Sequence, residues 1–315
     1  MSDIKVSICC LAYNHEDYIE KCLTSLIEQE TNFEFEILIN DDCSTDKTVE
    51  IIKKFEKTQP NIIKPIYQKE NQYSKKKNGQ RMNPLFNFPR ARGKYIAICE
   101  CDDYWISKHK LQLQVDLLES KPDVNYVFSD YKIDDGNHLT SSKISNISIP
   151  KILNLHEILK LNIMPTTVSI MFRKDKLPTP YPLWFMDSFN GDWGMLFIIA
   201  SQGKIGYINE PLAAYRKGVG IIANTKSFIK FENGLKTNKA IDKHTNFKYS
   251  YHLGKKEWHF ENITYALLEE NLYFHVNFQV FSLQNHDFSD FRRPRSLSWC
   301  SAKVRKSRKN LIFGA

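Results

Sequence analysis

The chain has 315 residues, of which 42% are hydrophobic and 13% aromatic. That is enough for one large domain, or for one domain with a smaller appendage, and the composition is ordinary for a globular protein. No apolar run approaches the roughly 20 residues that span a bilayer, which argues against an integral membrane protein. The opening MSDIKVSICCLAYN does not read as a secretory signal, because its apolar run is short and no basic region precedes it. The formal net charge is +8, yet eight Lys and Arg and no acid lie between Arg292 and Ala315, so the residues before them are balanced. The excess belongs to a tail with its own task and not to a basic protein. Seven Cys are present with no CxxC pair. That excludes a zinc ribbon and suits buried thiols kept reduced in a cytosol.

Strand-like and helix-like stretches alternate over the first 130 residues or so. IKVSICCLAYN is near-continuously apolar, the pattern of a strand buried on both faces. Ile19, Cys22, Leu23, Leu26 and Ile27 have helical spacing between Glu16 and Glu30. FEFEILIN is a second strand. Ser44 and Thr45 offer cap chemistry for a helix over Asp46–Lys57. IIKPIYQ reads as a third strand, placed at an edge or bulged by Pro65. KYIAICE is a fourth, Leu111, Val115 and Leu118 mark a helix closed by Pro122, and VNYVFSDY is a fifth strand. This alternation predicts an α/β fold, a Rossmann-like, mostly parallel sheet flanked by helices.

Beyond residue 132 the pattern changes. Asp134–Ser148 reads as a loop, NLHEILKLN as a short helix and PTTVSIMFRKD as a strand. FMDSFNGDWGMLFIIASQG sets an acid ahead of an amphipathic helix, and KIGYINEPLAAYRKG follows as strand and turn. Residues from 226 to about 284 read as helical and rich in aromatics. The organisation this suggests is a unit over 1–217, divided at 131/132 into two halves, a helical extension over 218–290 and a basic tail over 291–315.

In parallel sheets ligands bind outside the carboxyl ends of the strands. Strands one, two and four end in Tyr13–Asn14, Asp41–Asp42 and Asp102–Asp103, which places all three clusters on one rim. Neighbouring carboxylates repel and call for a cation or a shared proton. A hard divalent ion held by one or two carboxylates, water and a diphosphate suits ICECDDYW. So does a simpler reading, in which Asp102 or Asp103 caps the next helix. A carboxylate of INDDCSTD could accept a uracil N–H or a ribose hydroxyl, or cap a turn.

VSICCLAYN, ILINDDCSTDKT, GKYIAICECDDYW and GDWGMLFIIASQGKIGYINEPLAAYR, in that order, resemble the successive motifs of glycosyltransferase family 2 over about residues 4–217. The resemblance implies the GT-A fold, with a nucleotide-binding half (1–131), an acceptor-binding half (132–217) and a helical C-terminal extension. It implies that Tyr13 stacks near the nucleobase, flanked by Leu11 and Asn14, and that Asp42 holds the uracil. By the same match Asp102 touches the ribose or donor sugar, and Asp103 binds Mn²⁺ or Mg²⁺ through the diphosphate. Asp192 matches the catalytic base, Arg81 the basic residue near the phosphates, and Trp105 and Trp193 help shape a sugar pocket to which Tyr215, Arg216 and Lys217 belong. Lys217 stands where many relatives have a His after the YR pair.

The implied reaction is an inverting transfer of a hexosyl or N-acetylhexosaminyl group from a UDP-sugar to a glycan or lipid-linked acceptor in bacterial surface-polysaccharide synthesis. One base suffices, because the nucleotide is already a good leaving group. The alternatives are a catalytically inactive nucleotide-sugar-binding scaffold and a nucleotidyltransferase, which would want glycines after strand one that LAYNHEDY lacks. The tail mixes its cations with Trp299, Leu311 and Phe313, a pattern suited to peripheral contact with an anionic membrane from the cytoplasmic side. No nucleic-acid recognition motif accompanies it. Residues 218–290 read as either an acceptor module or a packing and homodimerisation element.

Overall fold

The computed structural model describes residues 4–75, 81–188, 190–220, 225–250 and 252–253. All of them fall in a compact unit spanning Met1–His259. The basic tail, and the extension beyond residue 253, lie outside the described residues.

The first half of the sheet is built on β1 (Ile4–Ala12), β2 (Glu34–Asp41), β3 (Ile63–Tyr67) and β4 (Tyr95–Ile98), with helices α1 (Ile19–Ile27), α2 (Thr48–Thr58) and α3 (Lys110–Ser120). The four strands are mutually parallel in the order β3-β2-β1-β4. Each is apolar on both faces because each face is covered. Val6, Ile8 and Cys10 of β1 and Tyr95 and Ala97 of β4 pack with α1, α2 and α3, while Cys9, Ile96 and Ile98 enter a second core on the opposite side. The period-two alternation of a strand sorts them. Pro65 of β3 is tolerated at the sheet edge, where its missing N–H costs no ladder bond.

The second half contributes β5 (Tyr104–Trp105), β6 (Val124–Asp134), β7 (Leu139–Ser141), β8 (Ile152–Leu153), β9 (Ile170–Arg173) and β10 (Lys204–Arg216). The main path continues β4-β9-β6-β10-β5, with β7 on β6 and β8 on β10. β9 runs antiparallel between β4 and β6, so this half of the sheet is mixed. Helices α4 (Leu155–Lys160), α5 (Leu183–Asp187) and α6 (Gly191–Ala200) cover it, followed by α7 (Ser227–His244). The stretch expected as a loop over Asp134–Ser148 contains the β6–β7 hairpin.

α6 is not amphipathic. Every residue from Trp193 to Ala200 is buried, because α7 and Tyr249 cover the face that would meet solvent. Trp193 Nε1 donates to Asn238 Oδ1 at 3.0 Å, and Phe197 meets Tyr249 edge-on at 5.8 Å. The described helix of the stretch expected as an extension, α7, therefore packs within the same unit as the sheet. Among the described residues no helix is long and apolar enough to cross a membrane.

Two buried charges hold the frame. Glu36 is 1% exposed and accepts from Ser7 Oγ at 2.7 Å, Arg92 N at 2.8 Å and the Arg92 guanidinium at 2.7 and 2.9 Å, which ties β1, β2 and the turn before β4. Lys110 is fully buried, donates to Gln114 Oε1 at 2.7 Å and lies 4.2 Å above the Trp105 ring. Burial drives its ammonium from the ordinary 10.5 down to about 7. Between these values the unfolded chain holds the extra proton, so folding stability rises with pH. Thermal melts from pH 7 to 9 are expected to show a rise of about 1 kcal/mol per pH unit that Lys110→Met abolishes. An unchanged slope in the variant would show that Lys110 is not its source.

Candidate functional site

Strand order reverses between β1 and β4, and the crevice of such a sheet opens there, outside the strand ends. Backbone bonds extend the β1–β4 ladder beyond β4: Cys99 N donates to Cys9 O at 3.2 Å and Cys101 N to Leu11 O at 3.0 Å. Asp42 N donates to Ala12 O at 2.9 Å. Leu11 is thus fixed between the two loops that follow β2 and β4.

The loop after β1 is clamped to the loop after β2. Asn14 takes a left-handed φ of 55°, donates its N–H to Ser44 Oγ at 3.0 Å and accepts from Thr45 N at 2.8 Å. Ser44 in turn donates to Asp41 Oδ1 at 2.5 Å. Ser44 and Thr45 therefore pin this turn and do not cap α2, whose N-cap is Lys47; Asp46 just before it accepts from Thr48 N through Oδ1 at 2.9 Å. Tyr13 projects from the clamp with 44% of its surface exposed, as a stacking platform would. Asp42 is 5% exposed, and its two oxygens accept from Gln72 N at 2.7 Å and Tyr73 N at 3.0 Å. Its carboxylate organises the 71–73 turn and retains lone pairs beyond these two bonds.

Glu100, Asp102 and Asp103 follow β4. Asp103 is 2% exposed, and its Oδ1 accepts from Arg216 N at 2.8 Å. Burial, and then the charge of Asp102, push its carboxyl well above the ordinary range. Glu100 is raised by the same causes, burial first, then the charges of Asp102, Asp103 and Asp192. Tyr215 is also raised, by burial and then by Asp103, Asp102 and Asp192. Glu100 and Tyr215 therefore sense all three aspartates, two at the β4 end and Asp192 in the first turn of α6. Asp102 lies against Gly220, where a Cβ would come within 2.6 Å of Asp102 Oδ2.

Arg216 is the cation beside this group, but its guanidinium points away from the carboxylates of Asp102 and Asp103. Nε donates to the Asp102 carbonyl at 2.7 Å, Nη1 lies 3.5 Å from Asp134, and the plane stacks on Tyr18 and Tyr104 at 4.9 and 5.0 Å. Lys217 is exposed, with its N–H on Asp134 O at 2.8 Å. Its charge acts on Asp135, which is held low first by the N–H groups of Asn137 and His138.

Trp105 and Trp193 lie in the core, 4% and 2% exposed, with their indole N–H groups on Val168 O and Asn238. The structure does not bring either ring to the rim. Arg81 reaches the segment between α5 and α6, where Nη2 donates to Ser188 O. Sequence reading passed over His15. It is half-buried, and its Nδ1 has no hydrogen-bond partner. Burial lowers its pKa against the pull of Asp102, Asp46 and Asp41. Its one signal was its position directly after Asn14.

Comparison with known proteins bears on this geometry. Residues 7–178 match the family model described as Glycosyl transferase family 2. The chain belongs to glycosyl transferase family 2. It is 32% identical over 236 residues, 74% of this chain and 86% of the relative, to the Escherichia coli UDP-Glc:alpha-D-GlcNAc-diphosphoundecaprenol beta-1,3-glucosyltransferase WfaP. Its fold is similar to that of Staphylococcus aureus TarS 1–349 in complex with UDP, at TM-score 0.58 and 19% identity, covering 76% of this chain and 66% of that one. It is also similar to the mannosyltransferase PcManGT of Pyrobaculum calidifontis in complex with GDP-Man and Mn²⁺, at TM-score 0.55 and 16% identity, covering 85% and 75%. The family member's chain spans 58% of the length of mycobacterial relatives that match it at 30% identity. The likeness to TarS and PcManGT places the sheet, with its mixed second half, in the GT-A class.

Crowding of Asp103 against Asp102 gives a stability prediction. A carboxyl raised in the folded state costs more as pH climbs above its ordinary value, because folding then opposes ionisation. Asp103→Asn keeps the acceptor for Arg216 N. Without nucleotide or metal it should stabilise the protein by about 1 kcal/mol, more at pH 8 than at pH 5. A lower melting midpoint for the variant at both pH values would refute uncompensated charge at this position.

Proposed function

We propose that the chain transfers a glycosyl group from a UDP-sugar to a hydroxyl of a lipid-linked glycan, with inversion. The observation that carries this reading is the Glu100–Asp103 run at the end of β4, beside the β1/β4 switch point of a GT-A sheet, with Asp103 buried on Arg216 N and Asp192 in the first turn of α6. WfaP supports the choice of donor and acceptor by its printed substrates, and TarS supports the nucleotide by its bound UDP.

In this reading the exposed Tyr13 stacks on the base. Asp42, already fixed by the 72–73 backbone, offers its remaining lone pairs to the uracil N–H. Asp102 meets the ribose or the donor sugar. Asp192 accepts the proton of the acceptor hydroxyl as its oxygen attacks the anomeric carbon from the face opposite the diphosphate. Its place in the first turn of α6, where backbone N–H groups point outward, favours the charged form a base needs. Its Oδ1 accepts from Trp193 N at 2.8 Å, which orients the carboxylate.

The donor set fits a divalent cation only in one way. Among the described residues no three ligating side chains converge, so a protein cage is absent there. An oxygen-only ion that takes one or two carboxylates, with diphosphate and water completing its shell, matches Asp103 and its neighbour Asp102. Bound there, Mn²⁺ or Mg²⁺ would supply neutralisation of the charge that grows on the departing diphosphate. The basic segment 291–315 would hold the enzyme at the cytoplasmic face of the membrane that carries its acceptor.

The test is UDP release and glycan product from a panel of UDP-sugars with a diphosphoundecaprenol-linked acceptor. Asp192→Asn should lower kcat by about 10²- to 10⁴-fold while UDP still binds. Wild-type turnover by that variant would falsify the assignment of the base. Turnover of no donor by the wild type, with UDP bound, would point to an inactive scaffold.

A further inference from the structure

Arg81 was expected beside the donor phosphates, yet its guanidinium is committed elsewhere. The side chain is largely buried and crosses to the segment between α5 and α6. Nη2 donates to the carbonyl of Ser188, and Nη1 fills the space where a residue larger than Gly191 would put its Cβ. Gly191 opens α6 and directly precedes Asp192. Its φ is not left-handed, so the glycine serves close approach and not a special backbone shape. Among opposing charges that act on Arg81, Asp192 ranks first and Tyr73 second. On the other side Arg81 leads into the Asn83–Asn87 turn, whose Asn87 Nδ2 bonds Cys10 O of β1 at 3.0 Å. The guanidinium is thus braced between the nucleotide half and the first turn of α6.

We infer that Arg81 is a positioning residue for Asp192, setting the first turn of α6 against the nucleotide half through the notch at Gly191, and is not a ligand of the donor phosphates. This rests on the reading of Asp192 as the base. A carboxylate that must meet an acceptor hydroxyl in line with the anomeric carbon tolerates little displacement, since a shift near 1 Å can cost on the order of 100-fold in rate. Arg81 fixes it in two ways. It clamps the Ser188 carbonyl ahead of the helix, and it presents a buried positive charge to the carboxylate. Lys would retain the charge but not the planar fork that sets one nitrogen on the Ser188 carbonyl and another in the notch at Gly191.

The two ways of acting predict different kinetics. A phosphate ligand binds the donor in ground and transition states alike, so its loss raises donor KM. A positioning residue lowers kcat and leaves donor binding alone. With UDP-glucose as donor and UDP affinity read by calorimetry, Arg81→Gln and Gly191→Ala should each lower kcat by roughly 100-fold. In both variants donor KM and UDP affinity should stay within about twofold of wild type. Arg81→Lys should recover part of the loss. In an Asp192→Asn background neither change should cost a further factor, because both act through the group already removed. Gly191→Ala approaches the contact from the helix side, so it carries the test if Arg81→Gln does not fold. A rise in donor KM and weaker UDP binding with kcat kept would overturn the inference, as would an undiminished penalty in the Asp192→Asn background. Full activity of Asp192→Asn alone would instead remove the reading of the base on which the inference rests.

Discussion

Glu100, Asp102 and Asp103 crowd the end of β4, the charge of Asp192 at the start of α6 reaches them, and the Arg216 guanidinium bonds the Asp102 carbonyl instead of a carboxylate of this run. Arg216 spends its guanidinium on the Asp102 carbonyl, on Asp134 and on two aromatic rings, and its charge and backbone N–H offset the raised Asp103 carboxyl only in part, against burial and the charge of Asp102. Burial raises Glu100 and Asp103, and the proximity of the other acids raises them further. Like charges held at close range in a partly dry site store a demand for positive charge. In the function proposed above, a metal-bearing nucleotide diphosphate would meet that demand. This constraint accounts for the rest of the site. The parallel strands must end together, the loops after them must be rigid, and the frame must be stiff enough to hold repelling groups in place.

The stiffness has visible sources. Glu36 locks β1 and β2 to the turn that leads into β4, Asn14 and Ser44 lock the loops after β1 and β2, and Asp42 locks the 71–73 turn onto β2. These are carboxylates and amides accepting backbone N–H groups, bonds that cost little side-chain entropy once the strands are formed. The same chemistry spans the two halves of the sheet at Arg216, whose N–H meets Asp103. The two halves of the sheet are therefore tied to one another at the end of β4.

Much of this was legible in the sequence, for reasons that can be stated. β1, β2 and β4 are covered on both faces, and unbroken apolar runs are the mark of that environment. Their polar ends, Tyr13–Asn14, Asp41–Asp42 and Asp102–Asp103, could be placed on one rim because parallel strands end on the same side. What escaped depends on partners distant in sequence. β5 and β8 have two residues each, too few for any periodicity, and exist because β10 passes beside them. α6 reads as amphipathic until α7 covers its outer face. Trp105 and Trp193 follow acidic residues and so resemble pocket walls, but their indoles find acceptors in Val168 and Asn238 and turn inward. Arg81 lies 107 residues from Ser188, and no local pattern reports that contact. Neither Ser44 nor Thr45 caps α2, since the Asn14 clamp recruits both; Asp46 accepts from the Thr48 N–H instead.

The central claim is that the crowded carboxylates at the end of β4 are completed by a divalent cation arriving with a nucleotide diphosphate. Its most direct test is calorimetric titration of UDP into the wild-type protein with Mn²⁺ present and, separately, with a chelator. The account predicts binding with Mn²⁺ and a loss of at least about 10-fold in affinity when the metal is removed, equivalent to about 1.4 kcal/mol. Equal affinity under both conditions would contradict it, because the diphosphate would then be tolerated beside Asp102 and Asp103 without the charge the site is built to require.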